Sequence, residues 1–132
     1  FWYESGAVED VTIRGNRFVG LSPAAPVFRL SPLQPKEKNL LQPPYHRNIR
    51  ILDNTIEAAS PLVVDAGRVA ELVFAGNTVT FSPQAVEGPA VKLRACADCV
   101  FRGNRFSRPS AVASDPPGTA VRLEGNENLS KP

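Results

Sequence analysis

Short runs of this chain alternate apolar and polar residues. Val11 and Ile13 face one way and Thr12 and Arg14 the other, and Phe18 and Arg17 continue the split. Ile49 and Ile51 alternate with Arg50, and Val91 and Leu93 with Lys92. Period-two alternation over a few residues, bounded by Gly and Pro, is the signal of a half-buried strand. β-Branched and aromatic residues dominate the inward positions, as strands prefer. No segment carries a helical period, so the pattern predicts an all-β chain.

The strands recur in a fixed phrase. Ile13-Arg14-Gly15-Asn16-Arg17-Phe18 returns as Ile51-Leu52-Asp53-Asn54-Thr55-Ile56, as Phe74-Ala75-Gly76-Asn77-Thr78-Val79 and as Phe101-Arg102-Gly103-Asn104-Arg105-Phe106. A second element lies upstream of each phrase: Ala25-Pro26-Val27-Phe28, Ser60-Pro61-Leu62-Val63, Gly88-Pro89-Ala90-Val91 and Gly118-Thr119-Ala120-Val121. Repeats of this length stack into solenoids. The unit predicts a right-handed parallel β-helix, since parallel crossovers are almost always right-handed. Each coil has three strands, and the chain holds about four to five coils. On this alignment Asn126 falls in the turn equivalent to Ala95–Cys99, and the fifth coil stops short of its own ladder position.

Asn suits the turn because it tolerates a left-handed backbone and because its amide can bond the same amide in the next coil. Asn16, Asn54, Asn77 and Asn104 should therefore stack in one column. Ile13, Ile51, Phe74 and Phe101 should form a second column inside, and Phe18, Ile56, Val79 and Phe106 a third.

Length allows one domain, residues 1–132. Residues 32–47 break the rhythm as a Pro-rich insertion. The chain opens in Phe1-Trp2-Tyr3 and contains no Met, which reads as a piece of a longer protein. Net charge is +2 with both signs mixed, which gives no basic stripe for nucleic acid. No run approaches the ~18 apolar residues of a membrane span. Cys96 and Cys99 make a single Cys-x-x-Cys. Zinc would need further ligands and a redox motif a following helix. Cys99 reads as core and Cys96 as turn, both free thiols, with a local disulfide as the second reading.

Candidate chemistry is sparse. The one His, His46, lies between Tyr45 and Arg47 at a strand entry. No nucleophile triad, phosphate loop or metal spacing is present, so no catalytic residue, cofactor or metal is assigned. Trp2 and Tyr3 beside Glu4 have the make-up of a sugar contact, apolar faces next to an acid. Asp53 stands where other repeats have Gly. Asp65 occupies a turn equivalent to that of Glu4. Carboxylates on neighbouring coils can form the acid/base pair of glycoside cleavage, although a turn role fits Asp53 better.

The phrases Phe-Trp-Tyr-Glu-Ser-Gly with Val-Glu-Asp-Val-Thr-Ile-Arg-Gly-Asn-Arg-Phe, and Tyr-His-Arg-Asn-Ile-Arg-Ile-Leu-Asp-Asn-Thr-Ile, resemble the C-terminal coils of glycoside hydrolase family 110. The resemblance implies a pectin-lyase-like β-helix and hydrolysis of terminal α-1,3-linked galactose with inversion and no cofactor. It implies an exported bacterial parent: secreted, periplasmic or on the cell surface. The family's catalytic carboxylates lie in an Asp-Asp segment that this chain lacks, so the chain alone is expected to be inactive. Trp2, Tyr3, Glu4, Tyr45 and His46 are carried over as a sugar-site edge. The alternative is a non-catalytic β-helical binding or assembly module. Either way, unpaired coil ends are expected to promote self-association.

Overall fold

The structure, a computed structural model, describes residues 8–19, 22–30, 46–115 and 121–131. Trp2, Tyr3, Glu4, Tyr45 and residues 32–45 of the insertion lie outside them. His46 and Arg47, at the end of the 32–47 segment, open a strand, in keeping with the strand entry read at His46.

Three strands make each coil. The first coil holds β1 (Glu9–Arg14), β2 (Arg17–Phe18) and β3 (Phe28–Leu30). The second holds β4 (His46–Leu52), β5 (Thr55–Ala58) and β6 (Val64–Gly67), and the third β7 (Val69–Ala75), β8 (Thr78–Phe81) and β9 (Val91–Arg94). In the fourth, β10 (Cys99–Arg102) precedes β11 (Arg105–Asp115), which runs along two faces. β12 (Val121–Glu124) and β13 (Glu127–Ser130) start another coil. The first strands pair in the order β1-β4-β7-β10-β12, a five-stranded face, and every named strand pair is parallel. This is a parallel β-solenoid, with no helix among the described residues.

The interior columns are those the repeat predicts. Ile13 pairs with Ile51, Ile51 with Phe74 and Phe74 with Phe101. Phe18, Ile56, Val79 and Phe106 follow on the second face. Phe74 and Phe101 are fully buried with ring centroids 5.4 Å apart. Phe28 reaches across the interior to Phe18 at 5.2 Å and Phe74 at 6.3 Å, both edge-on. Such rings supply the largest apolar burial per residue, and edge-on contacts suit their quadrupoles.

The Asn column is a continuous ladder. The backbone N–H of Asn16 donates to Asn54 Oδ1 at 2.8 Å, that of Asn54 to Asn77 Oδ1 at 2.9 Å, and that of Asn77 to Asn104 Oδ1 at 2.9 Å. The amide nitrogens of Asn54, Asn77 and Asn104 reach back to the carbonyls of Ile13, Ile51 and Phe74. Each inner rung is almost wholly buried, so these bonds satisfy groups that water cannot reach.

The structure corrects four details. Asn126 belongs to the ladder: its Oδ1 accepts from the backbone N–H of Asn104 at 3.0 Å, and its amide donates to Phe101 O at 2.8 Å. The misreading arose because Val121 pairs with Cys99, not with the Val91 column. Val112 in β11 takes the place beside Val91, so this coil moves from its second to its third strand without a loop. The left-handed residue of the turn is the one before the Asn, namely Gly15, Asp53, Gly76, Gly103 and Gly125, leaving the Asn free for hydrogen bonding. Phe28 pairs with Val64 rather than Val63, because the Ser60–Val63 segment carries one extra residue.

Candidate functional site

His46 is the only sequence-assigned site residue within the described structure. It begins β4 beside Val69 and is half-buried. Its Nδ1 accepts the N–H of Val8 at 3.1 Å, which requires that nitrogen to be unprotonated. Burial pushes its pKa below the usual 6.5. The ring thus pins the chain where β1 begins, and Arg47 N–H donates to Val8 O alongside at 2.9 Å.

Asp53 and Asp65 do not form a pair. Asp53 occupies the left-handed corner between the first and second faces, φ 55°, with Arg14 3.8 Å away and both side chains largely exposed. Asp65 lies in β6 on the third face, beside Arg29 of β3 and Lys92 of β9. Its side chain is only 14% exposed and sits 3.1 Å from Arg94 and 3.9 Å from Arg29. One carboxylate turns a corner and the other ties three coils together.

Two features escaped the sequence reading. The first is an open groove of about 500 Å³ on the second face. Thr55 and Glu57 of β5 and Thr80 of β8 stand along it, with Ala58, Ala59, Phe81 and Pro83 forming its apolar part. Glu57 is held by Arg17 at 3.0 Å. Hydroxyls and a carboxylate beside apolar surface can meet a sugar's hydroxyl rim and its apolar face. The second feature is a column of left-handed residues on the first face: Asp10, Asn48, Glu71 and Asp98. Asn48 donates to Asp10 at 2.7 Å, and Arg50 donates to Asn48 at 3.1 Å. Each member stands six residues before a ladder Asn. That spacing was visible, but the mixed residue types hid it. Among the described residues no three His, Cys, Asp or Glu side chains converge to hold a metal ion.

Comparison with known proteins finds similarity to named α-1,3-galactosidases. α-1,3-Galactosidase B of Bacteroides thetaiotaomicron is 33% identical over 124 residues, and α-1,3-galactosidase A of Bacteroides fragilis is 38% identical over 112. This chain is a relative of the α-1,3-galactosidases. Each of those matches takes in 80% of this chain and 18% of the relative. The α-1,3-galactosidase A of Streptomyces avermitilis is 40% identical over 80 residues, 59% of this chain and 12% of that one. The chain therefore spans under a fifth of the length of these galactosidases. No protein-family profile matches it. No solved structure matches it significantly.

Proposed function

We propose that this chain forms solenoid coils of an exo-acting, inverting α-1,3-galactosidase that needs no cofactor. The observation that carries the reading is the 33% identity to a named α-1,3-galactosidase across 80% of the chain. The asparagine ladder supports it physically, because stacked coils provide a rigid support for a carbohydrate site. Fold alone would not fix the chemistry. Terminal α-galactosides are the proposed ligand, with the winding right-handed and the parent secreted, periplasmic or on the cell surface. The catalytic carboxylates are assigned to the remainder of the parent. Residues 1–132 are proposed to act as one domain, and association of copies through solenoid coils is proposed with it. No helix among the described residues is long and apolar enough to cross a membrane.

Trp2, Tyr3, Glu4, Tyr45 and His46 are proposed as one edge of the sugar site. Support comes from the start of the first face, where Val8 and His46 lie side by side. In sequence, Trp2, Tyr3 and Glu4 shortly precede Val8, and Tyr45 precedes His46. In the complete protein, Trp2→Ala should raise KM for an α-1,3-galactoside while the melting temperature stays unchanged. An unaltered KM would remove Trp2 from the site. A complete protein that binds α-galactosides without releasing galactose would favour the alternative, a carbohydrate-binding or assembly module.

A further inference from the structure

We infer that the groove on the second face is a binding site for a neutral pyranoside, with Thr55, Glu57 and Thr80 as its polar contacts. The class of ligand follows from the groove itself. That the sugar is a galactoside rests on the function proposed for the parent.

The polar groups stand on a rigid sheet. Glu57 of β5 pairs with Thr80 of β8, so the two side chains stand side by side on neighbouring coils, roughly 4.8 Å apart. Thr55 lies two residues before Glu57 and shares its outward direction. All three are exposed, while their neighbours Ile56 and Val79 fill the interior. Each threonine hydroxyl can both give and take a hydrogen bond. The Glu57 carboxylate accepts from Arg17 Nη2 through Oε2 at 3.0 Å, which orients it and leaves Oε1 to accept from a ligand hydroxyl. Arg17 also offsets the charge of the carboxylate, so the groove favours neither an anion nor a cation. Ala58, Ala59 and Pro83 supply surface for the apolar face of a sugar ring.

The wall of the groove is the turn after β8, and three coils hold it. Ser82 N–H donates to Ala58 O at 2.8 Å, and Ala85 N–H donates to Ser82 O at 3.0 Å. From the fourth coil, Arg108 Nη1 donates to Ala85 O at 2.9 Å. Its guanidinium also lies over the Phe81 ring, 4.4 Å from the centroid. The groove is therefore formed before a ligand arrives, which lowers the ordering cost of binding. Its volume of about 500 Å³ is in the range of small-ligand sites. A peptide strand does not suit it. β5 and β8 are both inner strands in the order β2-β5-β8-β11, so their backbones are already paired on both sides. Only side chains are left to read a ligand, whereas an added strand needs a free sheet edge.

The test uses the complete protein with methyl-labelled threonine and a sulfur-linked α-1,3-galactobiose, which resists hydrolysis. The Thr55 and Thr80 methyl signals, assigned by their loss in Thr55→Val and Thr80→Val, should shift and saturate as the sugar is added. Glu57→Ala should raise the midpoint by about tenfold, the cost of one hydrogen bond to a charged group. Signals that stay in place, or a midpoint unchanged in Glu57→Ala, would overturn the proposal. Tighter binding of a galacturonic acid disaccharide would overturn it too, because the site would then select charge. Galactose release from the oxygen-linked disaccharide is measured on the same protein. Release without a methyl shift removes the groove and keeps the hydrolase, and a methyl shift without release does the reverse.

Discussion

The backbone N–H and the side-chain amide of Asn77 both donate to Oδ1 of Asn104, at 2.9 and 3.2 Å. One oxygen thus closes two bonds between successive coils. Asn77 in turn accepts from Asn54 twice, at 2.9 and 3.0 Å, and donates to Ile51 O at 2.9 Å. Replacing it with Ala strands donors and acceptors on both sides of a fully buried rung. Asn77→Ala should cost about 3 kcal/mol or more, because each buried group left unsatisfied costs roughly 1–3 kcal/mol. Asn16 sits on an exposed rung, so Asn16→Ala should cost about 1 kcal/mol, the net worth of an ordinary hydrogen bond. Denaturant melts of the two variants test the ladder. Equal losses would mean the rungs do not carry it.

Phe74 is the hub of the interior, touching Phe28 and Phe101. Phe74→Ala should cost about 3–5 kcal/mol, the usual range for a buried aromatic. That loss is comparable to the whole stability of many domains. A midpoint shift worth under about 1 kcal/mol in urea would show that the coil register is wrong.

Gly76 and Gly103 have the same left-handed backbone but different surroundings. A Cβ at Gly76 would run into Asp53 Oδ1, whereas one at Gly103 meets nothing nearby. Gly103→Ala should lose about 1 kcal/mol from the backbone alone. Gly76→Ala should lose more, and Asp53→Gly should restore part of the difference by removing the carboxylate. Thermal melts of the single and double variants give the coupling. Additive losses would contradict the contact.

Burial holds the His46 pKa below 6.5, so the folded chain binds a proton there less readily than the unfolded chain does. This contribution to stability is fully present above about pH 6.5 and disappears as pH falls through the folded value. Protonating Nδ1 also removes the acceptor for Val8. Stability should therefore fall on acidification below pH 6.5 more steeply in the wild type than in His46→Gln. Identical pH profiles would place His46 in water.

Much of the solenoid was legible because its strongest constraints are local. A left-handed corner followed by a buried amide admits few residues, so the Gly-Asn and Asp-Asn pairs announce themselves, and Ile51, Phe74 and Phe101 fall into line behind them. What escaped depended on loop length. β11 omits the loop that separates β8 from β9, so counting back from Pro or Thr misplaced Val121 by a whole strand and took Asn126 off the ladder. The site was less legible. The groove at Glu57 is assembled from residues of β5, β8 and the segment after each, and neither coil alone carries a motif. Asp53 and Asp65 looked equivalent as acids, but a corner and a sheet face keep them apart.

Galactose release measured side by side from this chain and from the complete protein that contains it tests the central claim most directly. With an α-1,3-linked galactobiose, the complete protein should release galactose, first as the β-anomer, and the chain alone should release none above buffer. The expectation rests on the separation of Asp53, at a corner, from Asp65, on the third face, which leaves the two unpaired as acid and base. Losing either member of such a pair removes about 10²–10⁴ of the rate. Turnover by the chain alone that vanished in Asp53→Asn or Glu4→Gln would contradict the account and make those residues catalysts. A complete protein that left the disaccharide intact would contradict it as well.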